Sequence, residues 1–148
     1  MRALLQRVSR ASVEVAGERV AEIGNGLLAL VAAGTCDSEP DAVRLARKIA
    51  ALRVFGDADG RMNLALADVG GAVLCVSQFT LFADTRRGNR PGFTDAAPPE
   101  VGRKLVDVVA AELRSLGLPV ETGRFGAEMT VALVNEGPVT IWLDTASW

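Results

Sequence analysis

Histidine is absent from the 148 residues of this chain, and cysteine occurs only twice. A protein without imidazole lacks the commonest general base and the commonest metal ligand, and it cannot form a Ser-His or Cys-His nucleophile pair. Cys36 and Cys75 are too few for a disulfide framework and too far apart for a zinc motif. Cys75 lies in an apolar run, which predicts a buried thiol that packs as a small hydrophobe. We therefore expect chemistry without imidazole, without a metal and without another cofactor.

Long apolar segments and a net positive charge are missing as well. The longest apolar stretches, such as residues 26–34, are far too short to cross a bilayer, and arginines interrupt the N-terminal segment, so no signal peptide is visible. The net charge is −2, whereas a protein that grips a long duplex through many phosphates is basic. We expect a cytoplasmic protein with no membrane partner, whose contacts with nucleic acid are small and local.

The pattern of apolar residues predicts one α/β domain over residues 1–148. Helical spacing predicts a first helix from the N-cap Ser38 to about residue 54, and a second from Pro98-Pro99 to about Leu116, where Gly117 ends it. The residues expected to face the sheet are Val43, Ala46, Ile49 and Ala50 in the first helix and Val101, Leu105, Val108, Val109 and Leu113 in the second.

The other apolar segments predict some eight strands, several of them adjacent in sequence, which suggests a mixed sheet with hairpins. The predicted strand segments are 3–24 (two or three strands with a turn at 16–18), 26–33, 72–82, 119–125, 129–134 and 139–144. Residues 56–63, GDADGRMN, resemble a calcium-binding loop at first sight. The glycine stands at the wrong offset from Asp57 and no glutamate closes the loop, so we predict a solvated turn.

Polar side chains end the apolar strand predicted at residues 72–82. Strict alternation would place Ser77 and Phe79 on one face of the strand, and Gln78 and Thr80 on the other. Because buried polar groups need partners, these residues predict either an opening onto a pocket or a simple polar strand edge.

The segment LVNEGPVTIWLD, residues 133–144, alternates at the strand period on both sides of Gly137-Pro138. Proline contributes no N–H group to a ladder, and glycine has no side chain to pack. Asn-Glu-Gly-Pro is good turn chemistry, which favours a plain hairpin. The other interpretation is that the chain needs bare backbone at this point.

Two more segments are candidates for binding. Arg86, Arg87 and Arg90 form the only dense basic cluster, for which surface charge is the usual explanation. Phe125 stands between two glycines, where its ring either faces a planar ligand or packs in the interior.

Taken together, these segments resemble one family. The stretches MRALLQRVSRASV, SQFTLFAD, GNRPGF, GRFGAEM and NEGPVT occur in the order and at the spacing of D-aminoacyl-tRNA deacylases, and the resemblance covers essentially the whole chain. Two departures are visible: Phe82 stands where a tyrosine is usual, and Gly92 where a serine is common. The first removes a hydroxyl, so any hydrogen bond made by that tyrosine in relatives is absent here.

The resemblance implies a three-layer α/β domain with both helices on one side, and a homodimer with active sites at the subunit interface. It implies hydrolysis of the ester that joins a D-amino acid, or achiral glycine mischarged on the tRNA for alanine, to the 3′-terminal adenosine of tRNA. Gly137-Pro138, joined by a cis peptide bond, would enter the partner's pocket, and Arg7 would hold this insertion in place. The other residues implied are Ser77, Gln78, Phe79 and Thr80 in the pocket, Asn135, Val139 and Thr140 beside the insertion, Phe125, Gly126 and Met129 near the adenine, and Arg86, Arg87 and Arg90 on the RNA.

Ester hydrolysis needs an activated water or nucleophile and a group that stabilises an oxyanion. Thr80 has no histidine and no nearby lysine or carboxylate in sequence to take its proton. We therefore favour proton handling by the substrate's own ribose 2′-OH, with placement and backbone N–H donors near Phe79 and Thr80 supplied by the protein. Two alternatives remain open: a non-catalytic dimer that binds a nucleotide or an RNA 3′ end, and a general small-ester hydrolase that uses Thr80 as nucleophile.

Overall fold

Eight strands and two α-helices make up the computed structural model, which describes residues 1–148. The strands are β1 (Arg2–Val15), β2 (Glu18–Ile23), β3 (Gly26–Ala32), β4 (Phe55–Gly56), β5 (Met62–Leu64), β6 (Ala72–Ser77), β7 (Val120–Thr122) and β8 (Thr130–Asp144). The α-helices are α1 (Glu39–Ala51) and α2 (Pro99–Ser115), and short 3₁₀ helices occur at Ala67–Val69, Phe79–Phe82 and Thr145–Ser147. Neither α-helix combines the length and the apolar character that spanning a membrane requires.

A six-stranded mixed sheet forms the centre of the molecule, in the order β2-β1-β3-β6-β7, with β8 paired to the other edge of β1. The β1–β2, β1–β3 and β1–β8 pairs are antiparallel, whereas β3–β6 and β6–β7 are parallel. The turn predicted at residues 16–18 is present, because Ala16 and Gly17 take positive φ values of 51° and 79° between β1 and β2. β4 and β5 form a separate two-stranded sheet.

Apolar side chains cover both faces of the central strands, which gives three layers. Leu27, Ala29 and Val31 of β3 belong to the core beneath the helices, together with Leu45 of α1 and Val109 of α2. The alternate residues of β3 and β6 point the other way, into a second core. The buried members of that second core are Val8, Ala11, Val13, Ala21, Ile23, Leu28, Leu74 and Val76. The predicted doubly covered strand and the three-layer arrangement with both helices on one side are thus confirmed.

α1 begins as predicted at the N-cap Ser38, whose N–H and hydroxyl groups both donate to the Asp41 carboxylate. It ends at Ala51 and not near residue 54, so Arg53 lies beyond it. The buried residues of α1 are Ala42, Leu45, Ala46 and Ile49, and those of α2 are Leu105, Val106, Val109, Ala110 and Leu113. The predicted inward positions of Val43 and Val101 are wrong: Val43 is half-buried, and Val101 is 43% exposed. Gly117 follows α2 with a φ of +84°, as expected of a residue that ends a helix.

Two predicted strands have different ends. β6 stops at Ser77, and Phe79–Phe82 forms a 3₁₀ helix, so the alternation predicted for residues 77–80 is wrong. At the C-terminal end there are two strands in place of three, because β8 runs without a break from Thr130 to Asp144 and pairs with β1 at both ends. The plain hairpin at Gly137-Pro138 is therefore wrong.

The predicted turn at residues 56–63 joins β4 to β5. Asp57 accepts hydrogen bonds from the backbone N–H groups of Asp59 and Arg61, at 2.9 and 3.0 Å, and these hydrogen bonds lower the pKa of its carboxyl group. Cys75 is buried as predicted, and this burial raises the pKa of its thiol to about 12.

Candidate active site

A cavity of about 770 Å³ opens where β3 and β6 end, beside the first turns of α2. Ser77, Gln78 and Phe79 line it at the end of β6, and Phe125, Gly126 and Met129 line it from the segment before β8. The structure thus brings together six of the residues that the sequence proposes for a pocket. Thr80, the seventh, does not line the cavity, and its side chain is exposed.

No ionisable side chain lines this cavity. Its other lining residues are Val31, Ala32, Ala33, Thr35, Val76, Phe93, Thr94, Ala96, Ala97, Pro98, Pro99, Gly102, Val106, Ala127 and Val131. Nowhere in the chain do three or more carboxylate or thiol groups come together as metal ligands. A molecule bound in the cavity therefore meets hydroxyl, amide and apolar groups, and no side chain that can act as a general base near neutral pH.

The Phe79–Phe82 turn shapes one side of the cavity mouth. The Gln78 N–H group donates to the Val31 carbonyl oxygen at 2.8 Å, which fixes the start of the turn to β3. The Gln78 side-chain amide donates to Thr80 Oγ1 at 2.5 Å, so the Thr80 oxygen is used as an acceptor. As the first residues of a helical turn, Phe79 and Thr80 have no intrahelical acceptor for their N–H groups.

Aromatic rings stand on both sides of the mouth. Phe79, which is 58% exposed, packs edge-on against Phe93 with ring centroids 5.0 Å apart. On the other side, the Arg103 guanidinium lies 5.1 Å from the centroid of the Phe125 ring. Phe125 lines the cavity and is only half-buried, so it is not an interior packing residue. Such rings offer the flat surfaces that a nucleobase requires.

Gly137 and Pro138 lie in a bulge of β8. Gln6 pairs with Thr140 and Val8 pairs with Asn135, so residues 136–139 stand opposite the single residue Arg7. The Gly137-Pro138 peptide bond is cis, as the resemblance implies, and both residues are exposed. The bulge pushes bare backbone out of the sheet.

Side chains on both strands hold the bulge at its base. Arg7 donates from Nε to the Glu136 carbonyl oxygen at 3.1 Å and from Nη1 to the Val54 carbonyl oxygen at 2.5 Å. Asn135 donates from Nδ2 to Thr140 Oγ1 at 2.9 Å, and its Oδ1 accepts from the Val139 N–H group at 3.2 Å. The Asn135 side chain thus joins the two ends of the bulge, so Asn135 and Thr140 have a structural role.

The bulge and the cavity are separate in one chain. Gly137 and Pro138 border a second cavity of about 590 Å³, which Arg7, Phe55 and Met62 also line. The two cavities have no lining residue in common. The two halves of the predicted site are therefore not assembled within a single chain.

The segment that carries Arg86, Arg87 and Arg90, called the basic segment below, leads directly into the wall of the first cavity. Asp84 and Gly92 exchange two backbone hydrogen bonds, of 2.8 and 2.9 Å, and Phe93 follows at the cavity wall. Arg86 makes an ion pair with Asp84 at 2.8 Å, whereas Arg87 and Arg90 are exposed and make no ion pair. The guanidinium groups of Arg87 and Arg90 thus belong to residues that lie only a few positions along the chain from Phe93 at the cavity wall.

Several cavity residues have no signal in the sequence. Thr35 and Thr94 are isolated threonines without a pattern, and Gly102 lies within α2. A methyl group at Gly102 would lie 3.8 Å from Phe125 Cζ, an ordinary van der Waals contact, so Gly102 borders the Phe125 ring. Phe93 lies in the GNRPGF stretch, and that motif was the available signal.

The family model described as D-Tyr-tRNA(Tyr) deacylase matches residues 4–144. A protein of Roseiflexus sp. (strain RS-1) named D-aminoacyl-tRNA deacylase is 63% identical over 146 residues, which cover 99% of this chain and 94% of that protein. A protein of Ruegeria pomeroyi with the same name is 60% identical over 144 residues, which cover 97% of this chain and 99% of that protein.

Two solved structures share the fold. One, titled "c-Myc DNA Unwinding Element Binding Protein", has a TM-score of 0.91 and 39% identity, and the match covers 97% of this chain and 98% of that one. The other, titled "Structural Analysis of a probable eukaryotic D-amino acid tRNA deacylase", has a TM-score of 0.81, and the match covers 96% of this chain and 97% of that one. Its identity of 17% supports the fold alone.

Proposed function

Because this chain belongs to the D-aminoacyl-tRNA deacylase family and is a hydrolase that acts on aminoacyl-tRNA, we propose that it cleaves D-aminoacyl and glycyl esters by substrate-assisted hydrolysis. The family assignment counts against the non-catalytic binding protein. The 3′-terminal adenosine occupies the cavity beside Phe125, Gly126 and Met129. Ser77, Gln78 and Phe79 border the ester, with Thr80 at the edge. The enzyme acts in the cytoplasm, where aminoacyl-tRNA is used.

The absence of an ionisable side chain from the cavity carries this proposal. Hydrolysis of the ester requires the attacking water to lose a proton and the leaving 3′ oxygen to gain one, so a single relay between the two oxygens balances the step. The ribose 2′-OH is adjacent to that oxygen in every substrate, so it relays the proton. The protein contributes placement and the N–H groups of Phe79 and Thr80, which stabilise the oxyanion.

Selection against L-amino acids follows from the exposed backbone of the bulge. In a homodimer, the carbonyl groups at Gly137 and Pro138 of one protomer enter the cavity of its partner and accept from the substrate's α-amino group. With that group fixed, an L side chain points into backbone, whereas a D side chain points out and glycine has nothing to clash. A steric test of this kind does not depend on side-chain size, unlike pocket contacts, which discriminate by roughly 10- to 200-fold per methylene.

Matched substrates on one tRNA body test the function. D-aminoacyl-tRNAs with small and large side chains and glycyl-tRNA should be cleaved, and the L forms should remain intact. The same D-amino acid on a tRNA that ends in 2′-deoxyadenosine should be nearly inert. Efficient cleavage of an L-aminoacyl-tRNA would defeat backbone rejection, and efficient cleavage of the deoxy substrate would defeat proton relay by the 2′-OH.

Thr80→Ala is the control for covalent catalysis. If Thr80 only accepts from Gln78, the variant keeps substantial activity, whereas loss of a nucleophile abolishes turnover. Removal of one oxyanion donor costs about 10²–10³ in rate, but the backbone N–H group of residue 80 survives the change to alanine. A dead Thr80→Ala enzyme together with a covalent adduct in mass spectra of the wild type would restore the small-ester hydrolase mechanism.

A further inference from the structure

Arg2 links the end of the Phe79–Phe82 turn to β8. Its Nη1 atom donates to the Leu81 carbonyl oxygen at 3.0 Å, and its Nε atom donates to Asp144 Oδ2 at 3.1 Å. Its guanidinium carbon lies 4.2 Å from the centroid of the Phe82 ring and 5.7 Å from that of Trp142. One side chain near the start of β1 thus contacts both the backbone and the aromatic side chain of the turn.

The sheet fixes the place from which Arg2 reaches the turn. Arg2 is the direct partner of Asp144 in the β1–β8 pair and of Ala32 in the β1–β3 pair. The Arg2 and Asp144 side chains are 33% and 20% exposed, so water only partly screens their ion pair. A planar guanidinium can donate in two directions and stack on a ring at the same time, which a lysine ammonium cannot do.

Gly34 confines the Phe82 ring from another direction. A methyl group at residue 34 would lie 2.7 Å from Phe82 Cε1, which is closer than van der Waals contact allows. Phe82 therefore occupies a slot between the Arg2 guanidinium and the Gly34 backbone. Neither Arg2 nor Gly34 lines the cavity.

We propose that Arg2 is a positioning residue for deacylation, which acts by fixing the Phe79–Phe82 turn through Leu81 and Phe82. This inference rests on the proposed function, which places Phe79 and Thr80 of that turn at the reacting ester. The Gln78 N–H group attaches the start of the turn to β3, and Arg2 is the attachment at its other end. A shift of 1 Å in a reacting group can cost about 10² in rate, so the second attachment matters for turnover.

Arg2→Met removes the charge and the donors and keeps an unbranched side chain, and Arg2→Lys keeps the charge over Phe82 without the two-way fork. We expect kcat for D-aminoacyl-tRNA to fall about 10-fold in Arg2→Met with KM unchanged, because Arg2 acts on placement and does not touch substrate. Arg2→Lys should recover part of the loss. Backbone amide exchange of residues 79–83, followed by mass spectrometry, should become faster in Arg2→Met.

Arg114→Met is the matched control. Arg114 also donates a guanidinium hydrogen bond of 3.0 Å to a backbone carbonyl oxygen, that of Val120, but between α2 and β7. The Arg114→Met variant should leave both kcat and the amide exchange of residues 79–83 unchanged. Gly34→Ala should reproduce the loss of kcat with Arg2 in place, because the added methyl group displaces Phe82.

Unchanged kcat or unchanged exchange in Arg2→Met would overturn the proposal, as would an equal loss of kcat in Arg114→Met. A wild type that fails to discriminate D from L substrates would defeat the proposed function instead. The exchange experiment uses no substrate, so it decides separately whether Arg2 fixes the turn.

Discussion

Three arginines of the basic segment look alike in sequence, but the structure gives them different surroundings. The Arg86 guanidinium donates two hydrogen bonds to the Asp84 carboxylate, from Nε at 2.9 Å and from Nη2 at 2.8 Å. Hydrogen bonds from the Arg86 side chain and backbone lower the pKa of Asp84 to about 2. Asp84 is therefore ionised at ordinary assay pH, and its carboxylate is available to pair with Arg86. Arg86 is thus engaged within the protein, and Arg87 and Arg90 are free to meet phosphate.

A comparison of neutral variants tests this division. Arg87→Gln together with Arg90→Gln should raise KM for D-aminoacyl-tRNA and flatten its salt dependence, by about 0.7 in the logarithmic slope for each single-strand phosphate that the protein no longer neutralises. Arg86→Gln is the matched control, and its KM should stay near that of the wild type. Steady-state kinetics over a series of salt concentrations measure both quantities. An Arg86→Gln enzyme that behaves like the double variant would show that the ion pair opens to bind RNA.

Gly137 shows how one residue determines the shape of the β8 bulge. Its φ of +120° lies in a region that side chains rarely adopt, and an added methyl group would lie 2.7 Å from Arg7 Nη2. Gly17, at the β1–β2 turn, also has a positive φ, of +79°, but nothing within 4 Å of an added methyl group. The two glycines therefore separate the effect of backbone strain from the effect of displacing Arg7.

Gly137→Ala should therefore abolish most deacylase activity, because the methyl group pushes Arg7 away from the bulge. Gly17→Ala should keep full activity. Both variants should lose stability, by about 1–3 kcal/mol for the left-handed backbone. Urea unfolding and initial rates on one D-aminoacyl-tRNA give the two measurements. Full activity in Gly137→Ala would mean that the bulge is not part of the site.

At the scale of elements, the sequence predicted what local chemistry determines. Ser38 begins α1 and Gly117 follows α2, because capping depends on a few neighbouring residues. The end of β6 at Ser77 was missed, since the apolar run continues through Leu81 and Phe82 while the backbone turns. Helical spacing predicts that Val101 shares the inward face of α2 with Leu105 and Val109, but its position at the start of the helix leaves it exposed.

The course of β8 depended on a strand more than 100 residues away. Asn-Glu-Gly-Pro satisfies the local rules for a hairpin, and only pairing of both flanks with β1 makes it a bulge. Likewise, the residues of the cavity come from β3, β6 and the segments that follow each of them, from residues 93–98, from α2, and from the start of β8 with the segment before it. Motif resemblance brought six of them together, and no spacing rule would have added Thr35 or Thr94.

For the whole molecule, the homodimer that we propose would bring the bulge of one copy to the cavity of the other, which one chain keeps apart. A two-fold interface is self-complementary, so in the proposed homodimer each protomer would offer its bulge to its partner and receive the partner's bulge. The exposed Val134 and Trp142 side chains, 41% and 48% accessible, lie on β8 on either side of the bulge and supply apolar surface next to it. One chain alone would then hold no complete site.

Mixing two inactive variants tests this arrangement. Gly137→Ala distorts the bulge and leaves the cavity intact. Ala127→Trp fills the cavity that residue 127 lines and leaves the bulge intact. After subunit exchange, each mixed dimer should contain one intact site, formed by the unmodified cavity of the first variant and the unmodified bulge of the second. About a quarter of wild-type activity should return, since half of the dimers are mixed and each has one of two sites. No recovery on mixing, or an active monomer of 15.5 kDa in light scattering, would contradict a shared site.

The bulge also divides β8 between the two cores of the sheet. From Gln6 to Arg10, β1 advances by four residues, while from Val134 to Thr140 its partner β8 advances by six. Before the bulge, Val131 and Leu133 pack against the second core, and after it Val139 and Ile141 pack against the core beneath the helices. The bulge therefore lies where β8 passes from one core to the other, so a single strand supplies apolar side chains to both cores and exposed backbone between them.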